Sequence, residues 1–216
     1  MSLSAKGSEA RAALTAADPA MAALIERIGE IDLETRLRRR SEERPADAYG
    51  ALLRAIVGQQ LSTKAARTIY GRVRELFGGT TPSPEQLLEA SEDDLRACGL
   101  SGRKVEYVRD LAAHVLSGEL ELDRLGELAD EEAIEEIVAV RGLGQWTAEM
   151  FLIFHLERPD VLSGGDLGIR KAIQVEYGLA EMPTPQRVLE IGEAWRPYRS
   201  LASLYLWESL ASVPAE

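Results

Sequence analysis

The sequence predicts an all-α fold. Apolar residues recur at i, i+3, i+4 and i+7 through most of its length, the spacing that lines one face of a helix. Ser, Thr or Asp stands ahead of several of these runs and glycine pairs follow some of them, which are start and stop signals for helices. Sustained alternation of apolar and polar residues, the mark of a half-buried strand, appears nowhere.

In chain order, residues 1 to about 20 are rich in Ala, Ser and Thr and are expected to fray. The basic run Arg36–Arg40 is read as a solvated helix face. Tyr49, Leu52, Leu53, Ile56 and Val57 predict the first strongly amphipathic helix. Ala65, Ala66, Ile69, Tyr70, Val73 and Phe77 predict the next, with Ser62 as its cap and Gly78-Gly79 as its stop. Ser83 before Pro84 and Thr184 before Pro185 each set a capping hydroxyl ahead of a proline at the first helical position. Val105, Val108, Leu111, Ala112 and Val115 follow a cap near Ser101, and Ile134, Ile137 and Val138 mark a helix after Asp130. A short apolar helix then covers Glu149 to Phe154, another starts at Leu167, and Leu201, Leu204 and Leu210 mark the last. The expected division is an N-terminal helical segment, residues 1–46, packed with the C-terminal helices, and a main domain over 47–216.

Length and composition bound the function. A chain of 216 residues with 45% hydrophobic content can bury a sizeable core. Its single cysteine, Cys98, cannot close an internal disulfide, as expected for a reducing cytoplasm. The two histidines, His114 and His155, lie far apart, are read as ordinary helix residues, and form no zinc site with cysteine. The longest apolar run, Met150 to Leu156, is too short to cross a bilayer. The net charge of −11 argues against a generally nucleic-acid-coated surface. However, acidity concentrates in Glu119–Glu136, with Arg124 its only cation, whereas Arg54, Lys64, Arg67, Arg72, Arg74, Arg103, Lys104, Arg170 and Lys171 cluster elsewhere. The local field decides binding of a polyanion, not the sum over the molecule.

The most informative stretch is Val140-Arg141-Gly142-Leu143-Gly144-Gln145-Trp146-Thr147-Ala148. Two glycines around one apolar residue permit a tight turn between helices, and Leu143 can fill the gap between them. The amides of Gly142 and Gly144 at the start of the second helix form an anion site at the positive end of its dipole. A Gly-x-Gly turn alone is a common helix–helix connection. The whole nonapeptide, however, resembles the helix-hairpin-helix signature of a DNA glycosylase superfamily (the HhH-GPD superfamily), with the hairpin over 132–154. A loop ending in an aspartate follows, Pro159-Asp160-Val161-Leu162-Ser163-Gly164-Gly165-Asp166, within residues 159–170. Gly165 stands where that family often has proline, and Arg141 replaces a frequent hairpin proline. Ala55-Ile56-Val57-Gly58-Gln59-Gln60-Leu61-Ser62 is similar to the stretch before the family's DNA-probing helix. Trp195-Arg196-Pro197-Tyr198-Arg199-Ser200, continuing to Leu206-Trp207, looks like the last helix of the alkylbase, 3-methyladenine type II, branch.

The resemblance implies two helical lobes flanking a cleft, with the hairpin on its lip and Asp166 inside. It implies that Asp166 is catalytic, its carboxylate stabilising positive charge on the sugar as the N-glycosidic bond breaks. Read locally, Asp166 is also well placed to cap the helix from Leu167, and the two roles are compatible. Trp207 is implied to stack against the extruded base, whose positive charge in alkylated purines favours an indole face. Trp146, Met150 and Gln59 complete the implied base pocket. The implied DNA contacts are Gln60, Leu61, Arg141, Gly142, Leu143, Gly144, Gln145 and Thr147, with Gln60 at the position that plugs the emptied stack. The carbonyls of Val138, Val140 and Leu143 are implied to hold a structural Na+ or K+; no cofactor is expected in the chemistry itself. Lyase members of the superfamily carry a lysine where this chain has Trp146, so base excision without strand cleavage is expected.

The expected partner is double-stranded DNA containing alkylated bases, and the expected state a cytoplasmic, nucleoid-associated monomer without membrane contact. Two other readings compete. One is a non-catalytic helix-hairpin-helix DNA-binding protein, opposed by the loop ending in Asp166; the other is a glycosylase for a different damaged base.

Overall fold

The computed structural model describes residues 7–33, 45 and 47–211, and all regular structure within them is helical. The Arg36–Arg40 run lies outside the described residues. In chain order the helices are α1 (Gly7–Ala17), α2 (Pro19–Ile28), α3 (Ala48–Gly58), α4 (Thr63–Leu76), α5 (Pro84–Glu89), α6 (Glu92–Ala97), α7 (Gly102–Ser117), α8 (Asp130–Ala139), α9 (Gln145–Phe154), α10 (Leu167–Glu176), α11 (Pro185–Gly192) and α12 (Arg199–Ala211), with a 3₁₀ turn at Glu193–Trp195. None of these is long and apolar enough to cross a membrane.

The caps form where the sequence places them. Ser62 accepts from the Ala65 amide, Ser83 from Gln86, Ser101 from Lys104 and Thr184 from Arg187. Each satisfies an amide that the first turn leaves without a partner. After α4 the chain turns through Gly78 and Gly79, both at positive φ. Two local expectations fail. Residues 7–17 are helical rather than frayed, Ala10 and Leu14 being fully buried. His155 falls just beyond the end of α9. The helix marked by Ile134, Ile137 and Val138 forms as α8, burying Ala133 and Ile137 and leaving Val138 exposed.

The chain forms two compact units, one of residues 39–151 and one of 1–38 with 152–216. In the first, α7 is the central helix and packs against α3, α5 and α6. Its Val105, Val108, Leu111 and Ala112 are buried, as are Leu52, Leu53, Ile56 and Val57 of α3. The acidic stretch is held to itself on the surface, Arg124 pairing with Glu136 and Glu121. Cys98 is buried with its thiol unbridged.

In the second unit the N-terminal helices pack on the C-terminal ones: Leu14, Met21 and Leu24 share a core with Ile169, Ile173, Trp195, Leu204 and Tyr205. A polar knot fastens it. Asp18 caps α2, one carboxylate oxygen accepting from the Ala20 and Met21 amides at 2.9 and 3.2 Å. The other oxygen accepts from the Tyr177 hydroxyl and, at 2.9 Å, from the Trp195 indole. Burial alone would raise the Asp18 pKa, but the bonds from Tyr177, Trp195 and the two amides outweigh it and hold the carboxyl below its ordinary range. Tyr205 adds a bond to the Gly29 carbonyl at 3.0 Å and Tyr198 one to Glu9 at 2.9 Å.

Candidate functional site

The hairpin turn lies in the unit of residues 39–151. Between α8 and α9 the chain turns through Val140–Gly144, closed by the Leu143 amide donating to the Val140 carbonyl at 3.1 Å. Leu143 is buried in the turn, as its sequence position implies. Gly142 has φ +86°, and a Cβ there would fall inside the Tyr107 ring on α7, so glycine is required twice over. The Gly144 carbonyl accepts from Ala148 at 3.1 Å and begins α9. Gly144 therefore stands at the cap position with no side chain to fill it.

Arg141 is turned to α7, its amide donating to Asp110 at 2.8 Å and its guanidinium pairing with Glu106 at 3.2 Å. Gln145 bonds Glu149 at 3.0 Å, and Thr147 is buried. Trp146 is 54% exposed, while Met150 is buried. Gln59, implied to line a base pocket, donates its side-chain amide to the Gly142 carbonyl at 2.6 Å. Gln60, at φ +58°, and Leu61 are both exposed at the tip of the same loop.

Asp166 and Trp207 belong to the other unit, and the structure brings them together. Asp166 caps α10, its Oδ1 accepting from the Ile169 amide at 2.8 Å. The Trp207 indole N–H donates to that same oxygen at 3.0 Å. One face of the indole stacks on Phe154, centroids 5.8 Å apart. Gly168 makes this approach possible: a Cβ there would sit 3.0 Å from Asp166 Oδ1 and 3.1 Å from Trp207 Cδ1.

The loop into Asp166 is fastened by the first turn of α12. Arg199 forks onto the Asp160 carboxylate at 2.8 and 3.1 Å, and Ser200 bridges the Arg158 carbonyl and the Val161 amide at 2.7 and 2.9 Å. Two turns further on, α12 supplies Trp207, so one helix holds both ends of the loop. Ser163, just ahead of Asp166, is fully buried with its hydroxyl unpartnered.

The contacts made by Tyr107, Lys104, Phe154, Gly168 and Arg199 were not foreseen from the sequence. Gly168 alone left a local signal, a glycine inside the first turn of a helix; the others act across the chain. Among the described residues, no group of three His, Cys, Asp or Glu side chains is arranged for a metal ion. Backbone carbonyls are a separate donor set: Val140 accepts one hydrogen bond from Leu143, and a carbonyl has a second lone pair.

Three comparisons bear on these features. The family model described as HhH-GPD superfamily base excision DNA repair protein matches residues 53–197. DNA-3-methyladenine glycosylase 1 of Schizosaccharomyces pombe is 37% identical over 165 residues, covering 76% of this chain and 72% of that protein. Among solved structures, a DNA-3-methyladenine glycosidase from Bacillus halodurans superimposes with a TM-score of 0.82 at 38% identity, covering 98% of this chain and 92% of that one. The S. pombe 3-methyladenine DNA glycosylase in complex with abasic DNA gives 0.79 at 31% identity, covering 96% and 99%.

Proposed function

Because the chain belongs to the HhH-GPD superfamily of base excision DNA repair proteins, we propose that it is a monofunctional DNA glycosylase. It extrudes alkylated bases of the 3-methyladenine and 7-methylguanine type from duplex DNA and hydrolyses their N-glycosidic bond. The observation that carries this reading is the Asp166 carboxylate, fixed by two N–H donors at the end of a loop that α12 clamps.

An alkylated purine carries a formal positive charge, so its bond to C1′ breaks with the electron pair leaving on the base and no general acid needed. Positive charge then builds on the sugar, and a fixed carboxylate stabilises it. Water attacks C1′, and its proton passes to Asp166 and then to solvent. Both donors converge on Oδ1, which keeps the carboxylate from rotating with the forming charge. The indole N–H lies in the ring plane, so bonding Asp166 leaves stacking to the ring face turned away from Phe154, where a cationic base is attracted by the indole.

The turn at Gly142–Gly144 serves as the phosphate anchor. The carbonyls of Val138, Val140 and Leu143 would hold a Na+ or K+ that adds positive charge beside that phosphate; neutral oxygens suit such an ion. Trp146 has no amine to form a Schiff base, so the strand stays intact.

The test is base release from methylated duplex DNA by wild type and Asp166→Asn. Asparagine still caps a helix, so the variant is expected to fold but release bases about 10²–10⁴-fold more slowly. Wild type should leave an alkali-labile, uncut strand. Equal release by both proteins removes Asp166 from the chemistry, and no release by either, with DNA still bound, favours a binding protein.

A further inference from the structure

Lys104 was counted above among cations available to DNA, yet the structure uses it otherwise. From α7 its ammonium donates to the Val57 carbonyl at 2.7 Å and the Gln59 carbonyl at 2.8 Å. Both oxygens lie at the C-terminal end of α3, where a helix presents carbonyls without partners and a negative dipole end. Burial holds the Lys104 amine below its ordinary pKa.

Immediately beyond these carbonyls come the exposed Gln60 and Leu61. On the other side of the loop, Gln59 is tied to the hairpin through the Gly142 carbonyl at 2.6 Å. The hairpin is in turn braced on α7, by Arg141 to Glu106 and Asp110 and by Gly142 against Tyr107. One helix therefore carries the support of the loop tip and the support of the hairpin within about two turns.

We propose that Lys104 is a positioning residue for base extrusion: it clamps the end of α3 so that Gln60 and Leu61 stand in a fixed relation to the hairpin turn. Anchoring a phosphate at the turn then sets where the tip enters the stack. The inference rests on the glycosylase reading for the role of the tip, and on geometry alone for the clamp.

The experiment uses the full chain, a duplex with 2-aminopurine beside an abasic analogue, and methylated duplex for single-turnover base release. It compares wild type with Lys104→Met, which keeps the stem but not the donors, and Lys104→Gln, which keeps N–H donors without charge. For Lys104→Met the aminopurine fluorescence rise and the release rate are expected to fall about tenfold or more. The Kd for undamaged duplex and its salt dependence should stay as in wild type. Lys104→Gln should recover part of the loss. If Lys104 contacts a phosphate instead, both variants will weaken binding and lower the log–log salt slope by about one, which overturns the clamp. Unchanged fluorescence and release in Lys104→Met overturn it equally. Should Lys104→Met fail to fold, the salt slope and fluorescence of Lys104→Gln decide the matter alone. A wild-type protein that binds and unstacks DNA but releases no base would sink the glycosylase reading and leave the clamp standing.

Discussion

Two aspartates in the same compact unit are built alike. Asp18 and Asp166 each cap a helix, and each accepts a hydrogen bond from a tryptophan indole, Trp195 at 2.9 Å and Trp207 at 3.0 Å. Their surroundings part them. Trp195 is fully buried, and the Asp18 oxygens take four bonds between them, including one from Tyr177. Trp207 is only partly buried, and both of its partner's bonds described here converge on a single oxygen. The same local motif is sealed in a core in one place and ends on a partly buried indole in the other. On the proposed reading the first is structural and the second meets the base.

Four changes would break or sharpen that contrast. Gly168→Ala puts a methyl between Asp166 and Trp207, and single-turnover base release should fall about 10- to 100-fold. Affinity for undamaged duplex should hold; unchanged release would mean that the indole–carboxylate bond is idle. Asp18→Asn should do the opposite, costing about 1–3 kcal/mol in thermal or urea unfolding while leaving release per folded molecule within about twofold. The Asp18 carboxyl is lowered in the folded state, so its contribution is complete above its ordinary value of 3.8 and is lost as pH falls through the lower folded value. The stability gap between wild type and Asp18→Asn should accordingly narrow below about pH 4. An equal gap at every pH would mean that the charge is not what the knot requires.

Trp207→Phe keeps a ring and removes the N–H; it should slow release about threefold to tenfold and weaken binding of a cationic base analogue less than Trp207→Ala does. Equal losses for the two would assign Trp207 to the bond alone. The smallest change in stability is expected for Gly144→Asp, which gives α9 the carboxylate cap that α10 already has; there is open space for the side chain. Folding should gain a few tenths of a kcal/mol. Duplex affinity should fall about fivefold, because the new carboxylate competes with a phosphate for the same amides. Tighter binding would show that the turn does not serve as an anion site.

How much of this was legible in the sequence follows chain distance. Ser62, Ser83, Ser101, Thr184 and Asp166 cap amides within three residues of themselves, and their roles were readable from spacing. The hairpin turn was readable for the same reason, since the glycines and Leu143 act on adjacent backbone. Lys104 reaches carbonyls 47 and 45 positions away, Gln59 one 83 away and Trp195 an aspartate 177 away. Nothing in those residue types names a distant partner. Arg141 is a further case: its place in the hairpin implies a phosphate contact, and no spacing foretells that its amide donates to Asp110 and its guanidinium pairs with Glu106.

The discontinuous unit also dictates an order of events during synthesis. Residues 39–151 are contiguous, so their core can close soon after the ribosome has passed them. Helices α1 and α2 precede that unit in the chain, yet side chains that share a core with Leu14, Met21 and Leu24 and engage Asp18 lie beyond it, in residues 162–206. Those partners follow the whole of residues 39–151, and α12, which clamps the Asp166 loop, is the last helix of the described residues. A nascent chain halted before α12 would hold a finished hairpin and no finished clamp for Asp166. On the proposed reading, the phosphate anchor would then be complete before the carboxylate that acts on the sugar.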